Sequence, residues 1–448
     1  MRHMQTRRCG QVWQLVAILC AGVLTAVLAA GCATSAPRPP VAAGQAGRPA
    51  SQDMAGRDTA GSGAPNRAAA PDTAADRAVR LQALLGQHSV LAADLMRSWI
   101  RGDEDFVQAA NAALGRNTDA MNELVGQLFG RAAAATFAPM WAEHVVSVVD
   151  YAGAVVHQDD DARTRARDKL VKYEVQLADF FAGVSRGRLS PAAARGAVTM
   201  HVEHLTKQTD AYAAGDYATA DRIYRVGYEQ AYDLGGALAD ALLPAADRAT
   251  LQVPLWRLRS QLGKLLAEHA ALLEDVNRAA VTNTADFNAA ARSINDNTRA
   301  LAAAVGTLFG AAAARQFQTL WAAHVEQLVA YGAATAARDA GRQQQARAGL
   351  RDFEHRMAAF LDRATTGRMS GSSLAAALLA HDQMLLKHAD AYATRNYPAA
   401  HDIAYQTYDH MFELARQLAD AFGATVAARL PVGGAQTGYG GLADVVGR

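Results

Sequence analysis

Along most of the chain, apolar residues recur three and four positions apart, the spacing that gathers them on one face of an α-helix. Leu81, Leu84, Leu85, Leu91 and Leu95 form one such stripe, and Leu262, Leu265, Leu266, Leu272, Leu273 and Val276 form another. Strand-type alternation is absent over any useful length. The stripes are interrupted near Gly102, Gly130, Asp159 to Asp161, Gly187 to Pro191 and Gly215. About six helices are predicted between such breaks, and connections this short favour antiparallel neighbours in a bundle. The charged run DDDARTRARD (159–168) reads as a solvated helix start.

The pattern occurs twice. MWAEHVVSVVDYA (140–152) returns as LWAAHVEQLVAYG (320–332), with Trp141 and Trp321 180 positions apart. DAYAAGDY (210–217) returns as DAYATRNY (390–397), Asn117-Thr118 as Asn297-Thr298, and LADAL (238–242) as LADAF (418–422). Before the second helix the offset is 181, so one residue was gained or lost near Asn111. Duplication on this scale predicts two similar domains rather than a solenoid. The expected fold is all-α, with tandem homologous antiparallel helical bundles over 77–244 and 255–423, and Pro244 and Pro254 bracketing the join. A loose tail is expected over 424–448, which holds GGAQTGYGG.

Arg2, Arg7 and Arg8 precede an apolar run from Val12 to Ala30, the layout of a signal peptide over 1–31. The run ends in LAAGC (28–32), which resembles the lipobox of bacterial lipoproteins, although Ala29 rather than Leu stands three places before the cysteine. The resemblance implies a lipid on Cys32, a membrane anchor, and a folded part outside the cytoplasm. A retained membrane helix is the alternative, since the run is near the minimum spanning length. Residues 33–76 hold no aromatic side chain and are rich in Ala, Pro, Gly and Ser, so 32–76 is predicted to be a flexible stalk.

Composition narrows the chemistry. The 448 residues carry a formal charge of +1, with acids and bases interspersed, and no nucleic-acid motif; nucleic acid is excluded as a partner. The three cysteines, Cys9, Cys20 and Cys32, all precede the repeats. Thiolate ligands, Cys nucleophiles and internal disulfides are therefore excluded from the folded part. No His follows a Glu at the di-iron Glu-x-x-His spacing, and HVEH (201–204) is not the zincin HExxH. GVSRG (183–187) matches GxSxG as a string, but a chain without strands offers no strand-to-helix nucleophile elbow around it; P-loop and CxxCH motifs are missing, and no catalysis is predicted.

What remains is histidine on the apolar faces. His88 falls between Leu84/Leu85 and Leu91, and His269 between Leu265/Leu266 and Leu272/Leu273. His144 shares a face with Trp141, Val148 and Tyr151, as His324 does with Trp321, Leu328 and Tyr331. His201 aligns with Val198, Leu205 and Tyr212, and His381 with Leu378, Leu385 and Tyr392. Asn117 and Asn297 sit on the second-helix stripes beside Met121 and Leu301. Each repeat thus points three imidazoles and an amide inward. Buried imidazoles need partners, and two arrangements supply them: a structural His–Asn–Tyr network, or convergence on a metal. The second repeat adds Met384, His388, His401, His410 and Met411, where the first has His204, Gln208, Asp221, Gln230 and Ala231. Mixed His and Met ligands suit copper, Cu(I) above all; Met384 and Met411 also read as core filler. His157 and His355 lie off the stripes and are expected to be exposed.

EHAALL (268–273), LWAAH (320–324), DAYATRNYPAA (390–400) and YDHMFEL (408–414) look like motifs of a group of secreted bacterial helical repeats, some labelled copper-related. The resemblance spans both repeats and favours the metal reading. The expectation is a lipid-anchored binding protein that sequesters or hands on a transition metal, copper first. Its ligands would come from His269, His324, His381, Met384, His388 and Met411, with His88, His144 and His201 in the first repeat. The alternative is an envelope scaffold or partner-binding lipoprotein with a purely structural His–Asn network. Non-covalent haem on His or Met is a third reading.

Overall fold

Thr73 and Asp76 cap the first helix reciprocally. The Thr73 Oγ1 accepts from the Asp76 N–H at 3.1 Å, and the Thr73 N–H donates to the Asp76 carboxylate at 3.1 Å. This capping box starts α1 (Ala74–Arg101), three residues before the predicted boundary. The structure is a computed structural model that describes residues 73–428, apart from the side chains of 104–106. The predicted signal peptide, Cys32, the stalk to residue 72 and the tail from 429 lie outside the described residues.

Helices α2 (Glu104–Phe129), α3 (Arg131–His157), α4 (Asp160–Val184), α5 (Pro191–Ala213) and α6 (Tyr217–Leu242) complete the first repeat. A short α7 (Ala245–Leu251) crosses the join. Then α8 (Pro254–Thr282), α9 (Phe287–Phe309), α10 (Ala311–Ala336), α11 (Ala340–Ala364), α12 (Gly371–Ala393) and α13 (Tyr397–Ala427) restate the order. The described residues contain no strand, and the all-α expectation holds. Cap chemistry is repeated with the helices. Asp159 and Asp339, Ser190 and Ser370, and Asp216 and Asn396 each accept the N–H three residues on, satisfying a donor the helix start leaves open. Gly130 and Gly310 alone separate α2 from α3 and α9 from α10, at φ 89° and 88°, where a side chain is disfavoured.

The last helix outruns the predicted start of the tail at 424. Thr425, 1% exposed, donates from its hydroxyl to the Thr365 carbonyl at 3.1 Å. That bond pins the final turn of α13 to the end of α11 and holds residues 424–427 in the helix.

The stripes of α1 and α8 understate their burial. Residues 84–93 and 266–273 are buried without a break, because each of these helices is the axle of its repeat. α1 packs on α2, α3, α5 and α6, and α8 on α9, α10, α12 and α13. A helix covered on every side is buried all round. At Gly235 of α6, an added Cβ would stand 2.5 Å from the Gln82 Cα of α1, so this crossing depends on a missing side chain.

Duplication predicts two similar domains, and the described helices of both repeats pack into one compact unit. α2 lies on α13, α9 lies on the equivalent α6, and α1 touches α8. The ties between repeats are reciprocal. Tyr228 of α6 donates to the Lys264 carbonyl of α8 at 2.9 Å, and its counterpart Tyr408 of α13 donates to the Ala83 carbonyl of α1 at 3.0 Å. Charges join the halves as well. Arg97, 1% exposed, meets Asp221 at 2.9 Å, Asp275 at 3.7 Å and Gln208 at 2.8 Å. Arg278 pairs with Asp275 at 2.7 Å and with Asp286, which accepts from Tyr212 at 2.7 Å.

Candidate metal centres

α1, α3 and α5 bring His88, His144 and His201 together; α8, α10 and α12 do the same for His269, His324 and His381. In each triad one ring nitrogen from every histidine lies within 4.8 Å of the other two. None of the six is more than 8% exposed. A tetrahedral ion with bonds of about 2.0–2.1 Å needs donors about 3.3–3.4 Å apart. The two triads therefore need side-chain closure of at most about 1.5 Å along any edge.

Burial keeps all six rings neutral. It pushes His144 and His324 down to about 3 and His201 to about 4. His88, His269 and His381 fall well below the usual histidine value, through burial first and then the neighbouring imidazoles. A neutral imidazole carries one N–H and one lone pair, so each triad offers three lone pairs with no proton competing for them near pH 7.

Hydrogen bonds fix where those lone pairs point. His144 Nδ1 bonds the Trp141 carbonyl, which only accepts, so Nδ1 carries the proton and Nε2 the lone pair. His88 Nε2, 3.0 Å from His144 Nε2, must then be the donor of that pair. The second triad is wired differently. His269 Nδ1 accepts from Trp321 Nε1 at 3.2 Å, which leaves its proton on Nε2. His324 Nε2 bonds the buried Asp382 carboxyl at 2.9 Å, the carboxylate–histidine contact that often orients a metal ligand. Stacking fixes the ring planes: His144 lies on Tyr173 with centroids 4.3 Å apart, and His324 on Phe353 at 4.4 Å. Both nitrogens of His201 and of His381 are buried without a hydrogen-bond partner. Idle buried nitrogens on His201 and His381, beside the other imidazoles of each triad, are an arrangement that a cation would satisfy.

Other predicted ligands fall elsewhere. His388 lies two turns from His381, about 10.5 Å along the helix axis, too far to share one ion. It lines a cavity of about 40 Å³ between the repeats, with Asp94, Glu274, Arg278 and His401. Met384 is half-buried one turn beyond His381, and Met411 is fully buried on α13. Asn117 and Asn297 stand beside His88 and His269 and act against the fall of those rings' pKa values. Their amides donate to the Leu84 carbonyl and Gln87, and to the Leu265 carbonyl and Glu268, clamping the central helices. Tyr151 and Tyr331 donate to Asp210 and Asp390 instead. His157 and His355 are exposed, as predicted.

Two features escaped the sequence reading. Asp382 occupies the place of Val202 and, among the described residues, is the acid bonded to a triad histidine; its signal was an aspartate on an otherwise apolar face beside His381. Asp94-x-x-Arg97 recurs as Asp275-x-x-Arg278 on the central helices, which marks the buried charge cluster. No family model, no curated protein and no solved structure matches the chain.

Proposed function

We propose that the protein binds transition-metal ions, copper first, at its two histidine triads, and sequesters or delivers them from a lipid-anchored position outside the cytoplasm. The observation that carries this reading is the convergence, twice, of three buried neutral imidazoles from three helices on one point. Neutral nitrogen donors in an apolar shell suit Cu(I) and disfavour hard cations. Cys32 as the site of the lipid, and with it the location, comes from the N-terminal motif alone.

A second reading has its own observation. His88 bonds His144, Trp321 bonds His269, and Asp382 bonds His324, so the triads also work as packing networks that fix one bundle geometry. Haem finds little support: the cavity beside the first triad is about 20 Å³, the space of one small molecule.

Titration of the metal-free full chain with Cu(I), against a competing chelator, separates the two. Metal binding predicts two equivalents per chain. His88→Gln, His144→Gln and His201→Gln together remove one, and His269→Gln, His324→Gln and His381→Gln remove the other, with circular dichroism confirming both variants folded. A wild-type chain that takes up no copper would make the triads architectural.

A further inference from the structure

The two triads differ in what stands beside them. On α6, Ala231 lines a cavity of about 20 Å³ with His88, His201, Trp141 and Leu85. A cavity in the second repeat has the equivalent Leu266, Trp321, Leu378 and Leu414 in its wall, but it touches no triad histidine and extends to Phe317 and Phe422 instead. At Ala231's position the second repeat carries Met411, fully buried. The tryptophans differ too. Trp321 donates to His269, whereas Trp141, 3% exposed, has an Nε1–H with no acceptor.

We infer that the first triad keeps a coordination position open to this cavity for a small neutral diatomic ligand of the carbon monoxide type, and that the second triad is closed. The inference rests on the metal reading above. An ion held by His88, His144 and His201 has three protein ligands, the number that leaves a fourth position for an exogenous one. A void needs about 10–15 Å³ to admit one water, so this cavity takes a single small molecule. Water wants two to four polar partners, and although Trp141 and Tyr173 both carry a polar atom, the surface that faces the void is almost wholly apolar. A diatomic fits better: one end bonds the metal, the other accepts from the idle Trp141 N–H. Binding of this kind forms one metal–ligand bond and moves no electron. In the second repeat the buried Met411 stands at Ala231's position, and the Trp321 N–H is already committed to His269.

Full chain loaded anaerobically with two equivalents of Cu(I) and exposed to carbon monoxide tests this by the infrared C–O stretch. One carbonyl per chain is expected. Ala231→Met should abolish it, Met411→Ala should add a second band, and Trp141→Phe should move the first to higher frequency as its hydrogen bond is lost. If Ala231→Met does not fold, Met411→Ala, which opens space instead of filling it, still decides. Copper bound with no carbonyl, or with two in the wild type, overturns the inference while the metal reading stands. Copper not bound at either triad overturns both.

Discussion

His88 Nε2 and His144 Nε2 stand 3.0 Å apart with one proton between them. Because His144 Nδ1 is committed to the Trp141 carbonyl, that proton belongs to His88. In the metal-free chain, ¹⁵N-resolved spectra of the imidazoles should show His144 protonated at Nδ1 and His88 at Nε2. Adding Cu(I) should move the His88 proton to Nδ1, since Nε2 then holds the ion. A His88 ring already protonated at Nδ1 before metal is added would contradict the arrangement.

Acid should weaken the fold through the same rings. Folded His144 and His201 titrate near 3 and 4, against about 6.5 in an unfolded chain. Between those values the unfolded chain binds more protons, so their contribution is complete above about pH 6.5 and is lost as pH falls toward 4. Each histidine adds a slope of about 1.4 kcal/mol per pH unit. Asp94 and Asp221, raised to about 6 chiefly by burial, act in the opposite sense and stabilise as pH falls through the same range. The comparison therefore uses a His144→Gln, His201→Gln variant. Its stability in urea should decline less steeply than the wild type's between pH 6.5 and 4.5; equal slopes would mean the rings are not buried neutral.

Arg97 holds Asp221 and Asp275 from opposite repeats. Arg97→Ala leaves the buried Asp221 without its cation, while Asp275 keeps Arg278, a loss of about 3–5 kcal/mol. Chemical denaturation should show a drop of that size. A drop under about 1 kcal/mol would place the cluster in water rather than in the core.

Gly235→Ala sets a methyl group 2.5 Å from the Gln82 backbone, where no rotamer relieves the clash. Overpacking of this kind costs about 1–3 kcal/mol, and the melting temperature should fall accordingly. Gly115→Ala, where an added Cβ meets nothing within 4 Å, is the control and should be neutral or slightly stabilising.

Helix content, repeat and inward histidines were all legible in the sequence, since periodicity records which side of a helix is buried. His388 shows where the reasoning stopped. It shares a helix face with His381, but periodicity gives angle and not depth, and two turns carried it to a different cavity. Likewise the stripe of α1 could not reveal burial all round, because Ala92, Ala93 and Ser89 are small enough to read as either surface or core. The partners of His324 and His269 come from tertiary packing, and only the fold could supply them.

The bonds of Tyr228 and Tyr408 have one more consequence. Each half offers the other the same hydroxyl and receives it at the same carbonyl, which is how two identical subunits meet across a two-fold axis. The chain is in this sense a homodimer written as one polypeptide, with α7 as its tether. Cut at that tether, the first half should not persist as a monomer with its central helix bare. It should find a second copy of itself and rebuild the same contacts between two chains.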